Sequence, residues 1–114
     1  MSKKHPGMDM KTLSALAEAN RMNIVELLHD GPLTVGEIAD RLGLRQPQVS
    51  KHLKVLSDNG IVEVRAYANR RIYNLRPEPF LALDSWLKSF HLIMEDRLDN
   101  LAAYLREVQN KDKP

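Results

Sequence analysis

Residues 46–56 read Gln46-Pro47-Gln48-Val49-Ser50-Lys51-His52-Leu53-Lys54-Val55-Leu56, and twelve residues before them begins Thr34-Val35-Gly36-Glu37-Ile38-Ala39. Together these stretches decide the fold. Thr34 followed three residues later by Glu37 is a capping box, in which each side chain satisfies the other's free amide. It opens a short helix that turns Ile38, Ala39 and Leu42 inward. Gly43 ends that helix, because glycine enters the left-handed terminal conformation without strain. Leu44-Arg45 bridge a tight turn, and Gln46-Pro47-Gln48 open the next helix. Proline suits a first helical turn, where its missing N–H has no partner to lose. Val49, Leu53 and Leu56 recur at helical spacing and form the buried face. Asn59-Gly60 then stops the chain. Two short helices joined by a Gly-containing turn make a helix-turn-helix over residues 34–59.

The second helix must bury one face and offer the other to a partner. Stepping 100° per residue from Val49, the outward sector holds Pro47, Gln48, Ser50, Lys51 and Lys54, with Gln46 at the helix start. Gln and Ser can read base edges, and Lys can read guanine or grip phosphate. His52 either packs against its neighbours or meets a phosphate. No acid falls between Gln46 and Val55. An ordinary solvated helix face mixes Glu with Lys, so the pattern points to double-stranded DNA.

Downstream, the period changes from helical to alternating. Val62, Val64 and Ala66 alternate with Glu63, Arg65 and Tyr67, and after Ala68-Asn69 the alternation resumes through Ile72 and Leu75. This predicts a β-hairpin, or wing, over 61–76 with a basic tip at Asn69, Arg70 and Arg71. Asn69 is expected to take the positive φ of the turn. Arg45, Arg65, Arg70 and Arg71 can grip the flanking backbone or enter the minor groove.

Pro77 and Pro79 start a long helix, expected over 79–109. Phe80, Leu83, Leu87, Phe90, Met94, Leu98, Leu101, Leu105 and Val108 step through it by three or four residues, a nearly continuous seam for a second helix. Upstream, residues 1–8 read as a flexible arm, and a first helix covers about 9–18 with Met10, Leu13, Leu16 and Ala17 at helical spacing. Asn20 is expected to cap a second helix whose stripe is Ile24, Leu27 and Leu28, stopped by Asp30-Gly31-Pro32. Residues 110–114 read as a disordered tail. The fold class is therefore mainly α with a small β-hairpin: one winged helix-turn-helix domain over 9–109.

Charge supports the same partner. Residues 41–76 carry eight Lys and Arg against two acids, whereas the whole chain of 114 residues is only +2. The rest is therefore −4, and a basic patch on an acidic body is a polyanion-binding footprint. Hydrophobic residues make up 43% but aromatics only 5%, so the core is built on aliphatic side chains. With no cysteine, there is no disulfide framework, thiolate switch or Cys-based metal site. No apolar run approaches a membrane span, and no secretory signal is expected behind Lys3 and Lys4. A cytoplasmic protein without a membrane partner is the simplest fit. No Cys nucleophile, supported Ser-His-Asp set, Gly-rich phosphate loop or carboxylate cluster marks an enzyme.

At this level the sequence resembles the ArsR (ArsR/SmtB-like) family of bacterial repressors. The stretch Leu16-Ala17-Glu18-Ala19-Asn20-Arg21 followed by Ile24-Val25-Glu26-Leu27-Leu28 looks like the family's opening "LADPTR…IL.LL". Thr34 to Ala39 is similar to its "T..EIA" helix, and Gln46 to Leu56 to its recognition-helix pattern "SQP.VS.HL..L". Asn59-Gly60-Ile61-Val62 and the Arg-Arg…Tyr wing follow in order. The resemblance implies that Gln46, Pro47, Ser50 and Lys51 sit at groove-reading positions. It also implies a homodimer through the first and last helices, which places Leu13, Leu16, Phe80, Leu83, Leu87, Phe90, Met94, Leu98, Leu101 and Leu105 at the interface. Two departures stand out: Asp-Pro-Thr becomes Glu18-Ala19-Asn20, and the usual wing Gly becomes Asn69.

Many members of that family release DNA on binding a metal. The Cys-x-Cys of one site type is replaced here by Gly36-Glu37-Ile38-Ala39-Asp40. The Asp-x-His of the other becomes Asp84-Ser85-Trp86, and its second ligand pair is missing. His91 and Glu95 lie one turn apart, but two ligands do not make a site; His5 and His29 are incidental. The expectation is a regulator with no metal and no cofactor, its inducer unknown, that represses by binding an inverted-repeat operator and regulates its own gene. Two other classes fit less well. A winged helix that binds protein would show an apolar or acidic recognition face, and a non-specific DNA-binding protein would be more basic overall.

Overall fold

Asp9 accepts the Thr12 amide at 2.8 Å and the Thr12 hydroxyl at 2.9 Å, an N-cap that fixes where the first helix starts. The computed structural model describes residues 9–111, so the expected arm at 1–8 and residues 112–114 of the expected tail lie outside it. The elements are α1 (Met10–Leu16), α2 (Ala19–His29), β1 (Leu33–Thr34), α3 (Val35–Leu42), α4 (Gln46–Asp58), β2 (Val62–Tyr67), β3 (Arg70–Leu75) and α5 (Pro77–Lys111). The chain divides into two units, residues 1–82 and 83–114, and α5 begins in the first and runs on through the second.

The first unit is built on an aliphatic core. Ile24 and Leu28 of α2, Ile38 and Ala39 of α3, Val49, Leu53 and Leu56 of α4, and Ile61 and Val62 at the start of the wing are all buried together. The spacing argument for α2, α3 and α4 thus holds at its main positions, with Leu27 and Leu42 packed at the edge. Truncating a fully enclosed member such as Leu53 to Ala costs about 2–5 kcal/mol, because the hole closes only in part.

Four local expectations are corrected. First, α1 stops at Leu16 rather than near residue 18, because Ala17 leaves helical geometry at φ −84°, ψ 48°. Its buried residues are Thr12 and Ala15, while Met10 is exposed and Leu13 and Leu16 are only half-buried. Second, α2 is capped by Glu18, not Asn20. Glu18 is extended and its carboxylate accepts the Arg21 amide at 2.8 Å, which places Asn20 inside the helix.

Third, the hairpin is joined by a third strand. β1 pairs antiparallel with β3 through Leu33↔Tyr73 and Thr34↔Ile72, giving the sheet order β1-β3-β2. β2 and β3 pair from Val62↔Leu75 out to Tyr67↔Arg70. The predicted inward alternation lapses beyond Val62: Val64 and Ala66 are exposed, because the ribbon runs past the helices that cover its base. The positive φ of the hairpin turn falls on Ala68, at 56°, not on Asn69. Fourth, α5 starts at Pro77 rather than 79 and continues through Asn110 and Lys111, two residues assigned to the tail by sequence.

Candidate nucleic-acid interface

The helix-turn-helix is aimed by its caps. Glu37 N–H donates to the Thr34 hydroxyl at 3.2 Å, and Thr34 N–H donates to Glu37 Oε1 at 3.0 Å, completing the capping box. The Thr34 amide, followed by the Thr34 hydroxyl, holds the Glu37 carboxyl below the usual carboxylate range; Arg41 and Arg70 act in the same direction from farther away. At the other end of α3, Gly43 takes the left-handed conformation at φ 66°, ψ 32°, and the Leu44 amide returns to the Ala39 carbonyl at 3.0 Å. Only Gly43, Leu44 and Arg45 separate α3 from α4.

Arg45 is the extended residue at the N-cap of α4, and its amide donates to Gln48 Oε1 at 3.2 Å. Gln48 thus fulfils a capping duty that the sequence reading did not give it. Pro47 sits in the first turn, as expected. Gln46 reaches back across Gly36, so that a Cβ on that glycine would stand 3.5 Å from Gln46 Nε2. Gly36 therefore leaves ordinary contact distance for the glutamine that opens the recognition helix.

With Val49, Leu53 and Leu56 turned inward, Gln46, Pro47, Gln48, Ser50, Lys51 and Lys54 are exposed. Lys54 pairs with Asp58 at 3.4 Å one turn on, whereas Lys51 has no ion pair among the described residues. His52 departs from this face. Its side chain is only 21% exposed, and Nδ1 lies 3.7 Å from Glu18 Oε2.

The wing adds a second basic surface. Arg70 and Arg71 are exposed on β3 and Asn69 in the turn, while Arg65 on β2 is held by Glu63 at 3.2 Å. Arg70 and Arg71 face Thr34, Val35, Gly36, Glu37 and Asp40 across an open groove between the wing and the start of α3. The two acids of that groove lie outside the acid-free run of α4. Exposed Tyr67, opposite Arg70 in the register, completes the wing tip; its position in the alternation was the available signal for it.

The residues expected at a dimer interface fall in three places. Leu13 and Leu16 lie half-buried on α1. Phe80 packs against the core of the first unit. Leu83 is half-buried at the start of the second unit's helical segment. Beyond it, Leu87, Phe90, Met94, Leu98, Leu101 and Leu105 are exposed, from 46% at Phe90 to 65% at Leu98. Trp86 meets Phe90 edge to face, with centroids 5.0 Å apart. Among the described residues no three of His, Cys, Asp and Glu gather closely enough to hold a metal ion, so the donors present do not fit such a group. No described helix is long and apolar enough to cross a membrane.

Comparison with known proteins gives this geometry a context. The helix-turn-helix domain family matches residues 16–65. The chain is 46% identical over 76 residues to an HTH-type transcriptional regulator, Rv2034, of Mycobacterium tuberculosis, covering 67% of this chain and 71% of the relative. Repressors and a transcriptional activator are also among its curated relatives. An ArsR family transcriptional regulator of known crystal structure, RHA00566, superposes with a TM-score of 0.68 at 27% identity, covering 83% of this chain and 97% of the other. A homodimeric winged helix-turn-helix DNA-binding domain from Mycobacterium bovis superposes with a TM-score of 0.60 at 29% identity, over 72% of this chain and 79% of the other.

Proposed function

The chain belongs to the ArsR family of winged helix-turn-helix transcriptional regulators, and on that footing we propose that it represses transcription as a homodimer on an inverted-repeat duplex. One observation carries the reading: α4 exposes Gln46, Ser50 and Lys51 on an acid-free face, with Lys51 free of ion pairs among the described residues. Lys51 therefore carries a charge not committed to an ion pair, while Gln48, whose Oε1 accepts the Arg45 amide, keeps its NH2 group to donate. Gln46, Gln48, Ser50 and Lys51 read the major groove while Pro47 shapes the helix start, Lys54 and Arg45 grip phosphate, and Arg65, Asn69, Arg70 and Arg71 hold the flanking duplex.

The exposed seam of α5 is a surface that a second copy would cover, and Leu13 and Leu16 of α1 are proposed to join a dimer contact in their own right. Exposed apolar seams at heptad-like spacing bury themselves by pairing. A two-fold dimer places two recognition helices about one turn of DNA apart, which demands an inverted repeat. The protein is a regulator rather than an enzyme, works in the cytoplasm, uses no metal or cofactor, and has as a natural first target the DNA upstream of its own gene.

Selection of duplexes from a random pool tests this reading directly. The expected product is an imperfect inverted repeat bound by a species of twice the chain mass in light scattering. Lys51→Ala or Gln46→Ala should then cost about 1–3 kcal/mol on the selected duplex and much less on random DNA. A monomer at micromolar concentration, or recovery of no preferred sequence, would remove the dimer or the specificity.

A further inference from the structure

Between α1, α2 and α4 runs a chain of polar contacts that serves neither the apolar core nor the outward face of α4. Arg21 on α2 donates from Nε to the Ala15 carbonyl at 2.6 Å and from Nη2 to the Ser14 carbonyl at 3.5 Å. The Ser14 carbonyl also accepts the Ala17 amide at 3.2 Å, and the guanidinium donates to the Ala15 carbonyl, so together they close the end of α1. The Arg21 amide donates to Glu18 Oε2 at 2.8 Å, and the same oxygen lies 3.7 Å from His52 Nδ1. The Glu18 side chain is 33% exposed and that of His52 21%, so their contact is partly covered. His52 is thus fastened to the start of α2, while its neighbours Ser50, Lys51 and Lys54 are exposed.

We propose that Arg21, Glu18 and His52 form a positioning relay that fixes the recognition helix α4 against α1, so that base reading depends on residues that never touch DNA. Arg21 anchors α1, Glu18 caps α2, and His52 carries the restraint into the middle of α4. Groove readout needs side chains held to a fraction of an ångström, and a helix braced at its core face by Val49 and Leu53 can still roll about that contact. The relay opposes the roll with a polar contact on the flank, 3.7 Å from His52 Nδ1 to Glu18 Oε2. Because α1 also belongs to the proposed dimer surface, the same brace would set the spacing between the two recognition helices. The inference rests on α4 being the DNA-reading helix.

The test uses the duplex that the wild-type chain selects from a random pool, a random duplex, and the variants Glu18→Gln, His52→Gln and their combination. Glu18→Gln keeps an oxygen to accept the Arg21 amide but removes the charge. Groups in one network couple by about 0.5–3 kcal/mol, and tenfold in affinity is about 1.4 kcal/mol. Each single variant should therefore lose about five- to tenfold of its preference for the selected duplex. The salt dependence should stay unchanged, and the double variant should be no worse than either single one. Three outcomes overturn the relay: Glu18→Gln that binds like wild type, His52→Gln that lowers the salt slope as a lost phosphate contact would, or single losses that simply add. Should His52→Gln melt below the assay temperature, Glu18→Gln alone decides. A wild-type chain that selects no sequence defeats the reading of α4 itself, a result distinct from these.

Discussion

The amide of Arg45 donates to Oε1 of Gln48 at 3.2 Å, so one of the glutamines on the recognition face is also a structural cap. Its carboxamide oxygen is engaged within the protein, and only its NH2 group remains to donate to a base. Glu at this position would keep the acceptor and add a favourable charge near the helix N-terminus, worth about 0.3–1 kcal/mol. It would also set a carboxylate against phosphate. Gln48→Glu is expected to melt at or slightly above the wild-type temperature while binding duplex DNA at least tenfold more weakly. Equal affinity for DNA would place Gln48 outside the interface.

The wing arginines differ in their commitments. Arg65 is held by Glu63 at 3.2 Å, whereas Arg71 has no ion pair among the described residues and Arg70 is only in the wider field of Glu37. Each phosphate contact contributes about 0.9 to the slope of log K against log salt on duplex DNA. Arg70→Ala with Arg71→Ala should therefore lower that slope by about 2, and Arg65→Ala by less. Titrations across a range of salt concentrations would show an unchanged slope if the wing stands clear of the backbone.

Ala68 carries a strained turn. A non-glycine residue at positive φ, here 56°, costs about 1–2 kcal/mol relative to a residue free of Cβ crowding. Ala68→Gly also loosens the unfolded chain, which offsets part of that relief. The expected net gain is about 0.5–1 kcal/mol in urea unfolding. Asn69→Gly is expected to give no such gain, because its φ is not positive, and a larger gain at Asn69 would reverse the assignment of the turn.

The capping box makes the fold sensitive to acid. The folded state holds the Glu37 carboxyl below its ordinary value, chiefly through the Thr34 amide, and holds Glu18 low chiefly through the Arg21 amide. The unfolded chain therefore takes up these protons first as the pH falls. The stabilisation is complete above the usual carboxylate range and is lost as pH drops through that range towards the lowered folded values. Thermal melts between neutral and acid pH should show Glu37→Gln with a shallower acid decline than wild type, since Gln still accepts from Thr34 but does not titrate. Parallel declines in the two proteins would assign the acid sensitivity to other groups.

The helix-turn-helix was legible because its boundaries are local chemistry. Thr34 with Glu37, Gly43, and Pro47 state their roles within four residues of where they act. β1 was not legible, since Leu33 and Thr34 become a strand only by pairing with Tyr73 and Ile72 far along the chain. Glu18 was passed over as a cap because Asn20 is the commoner capping residue and the carboxylate's reach to the Arg21 amide is a matter of geometry. His52 lay outside the outward sector on 100° stepping, with packing and a phosphate contact both left open, and only the fold brings it beside Glu18. On α5 the period of the seam was readable from the start, and Leu98 and Leu101 are exposed in the single chain, which fits the proposed pairing.

Thr34 is at once the last residue of β1, opposite Ile72, and the residue whose hydroxyl caps α3. One residue thus belongs both to the wing sheet and to the helix-turn-helix, alongside the packing of Ile61 and Val62 among the helices. A slip of one residue in the β1–β3 register would take Ile72 from its place opposite Thr34 and turn each strand's faces over. The base of the wing is accordingly tied to the start of α3 at the residue that caps it. On the proposed reading, variation in the length or charge of the wing tip beyond Ile72 would alter how a duplex is held while leaving the Thr34 cap of α3 in place.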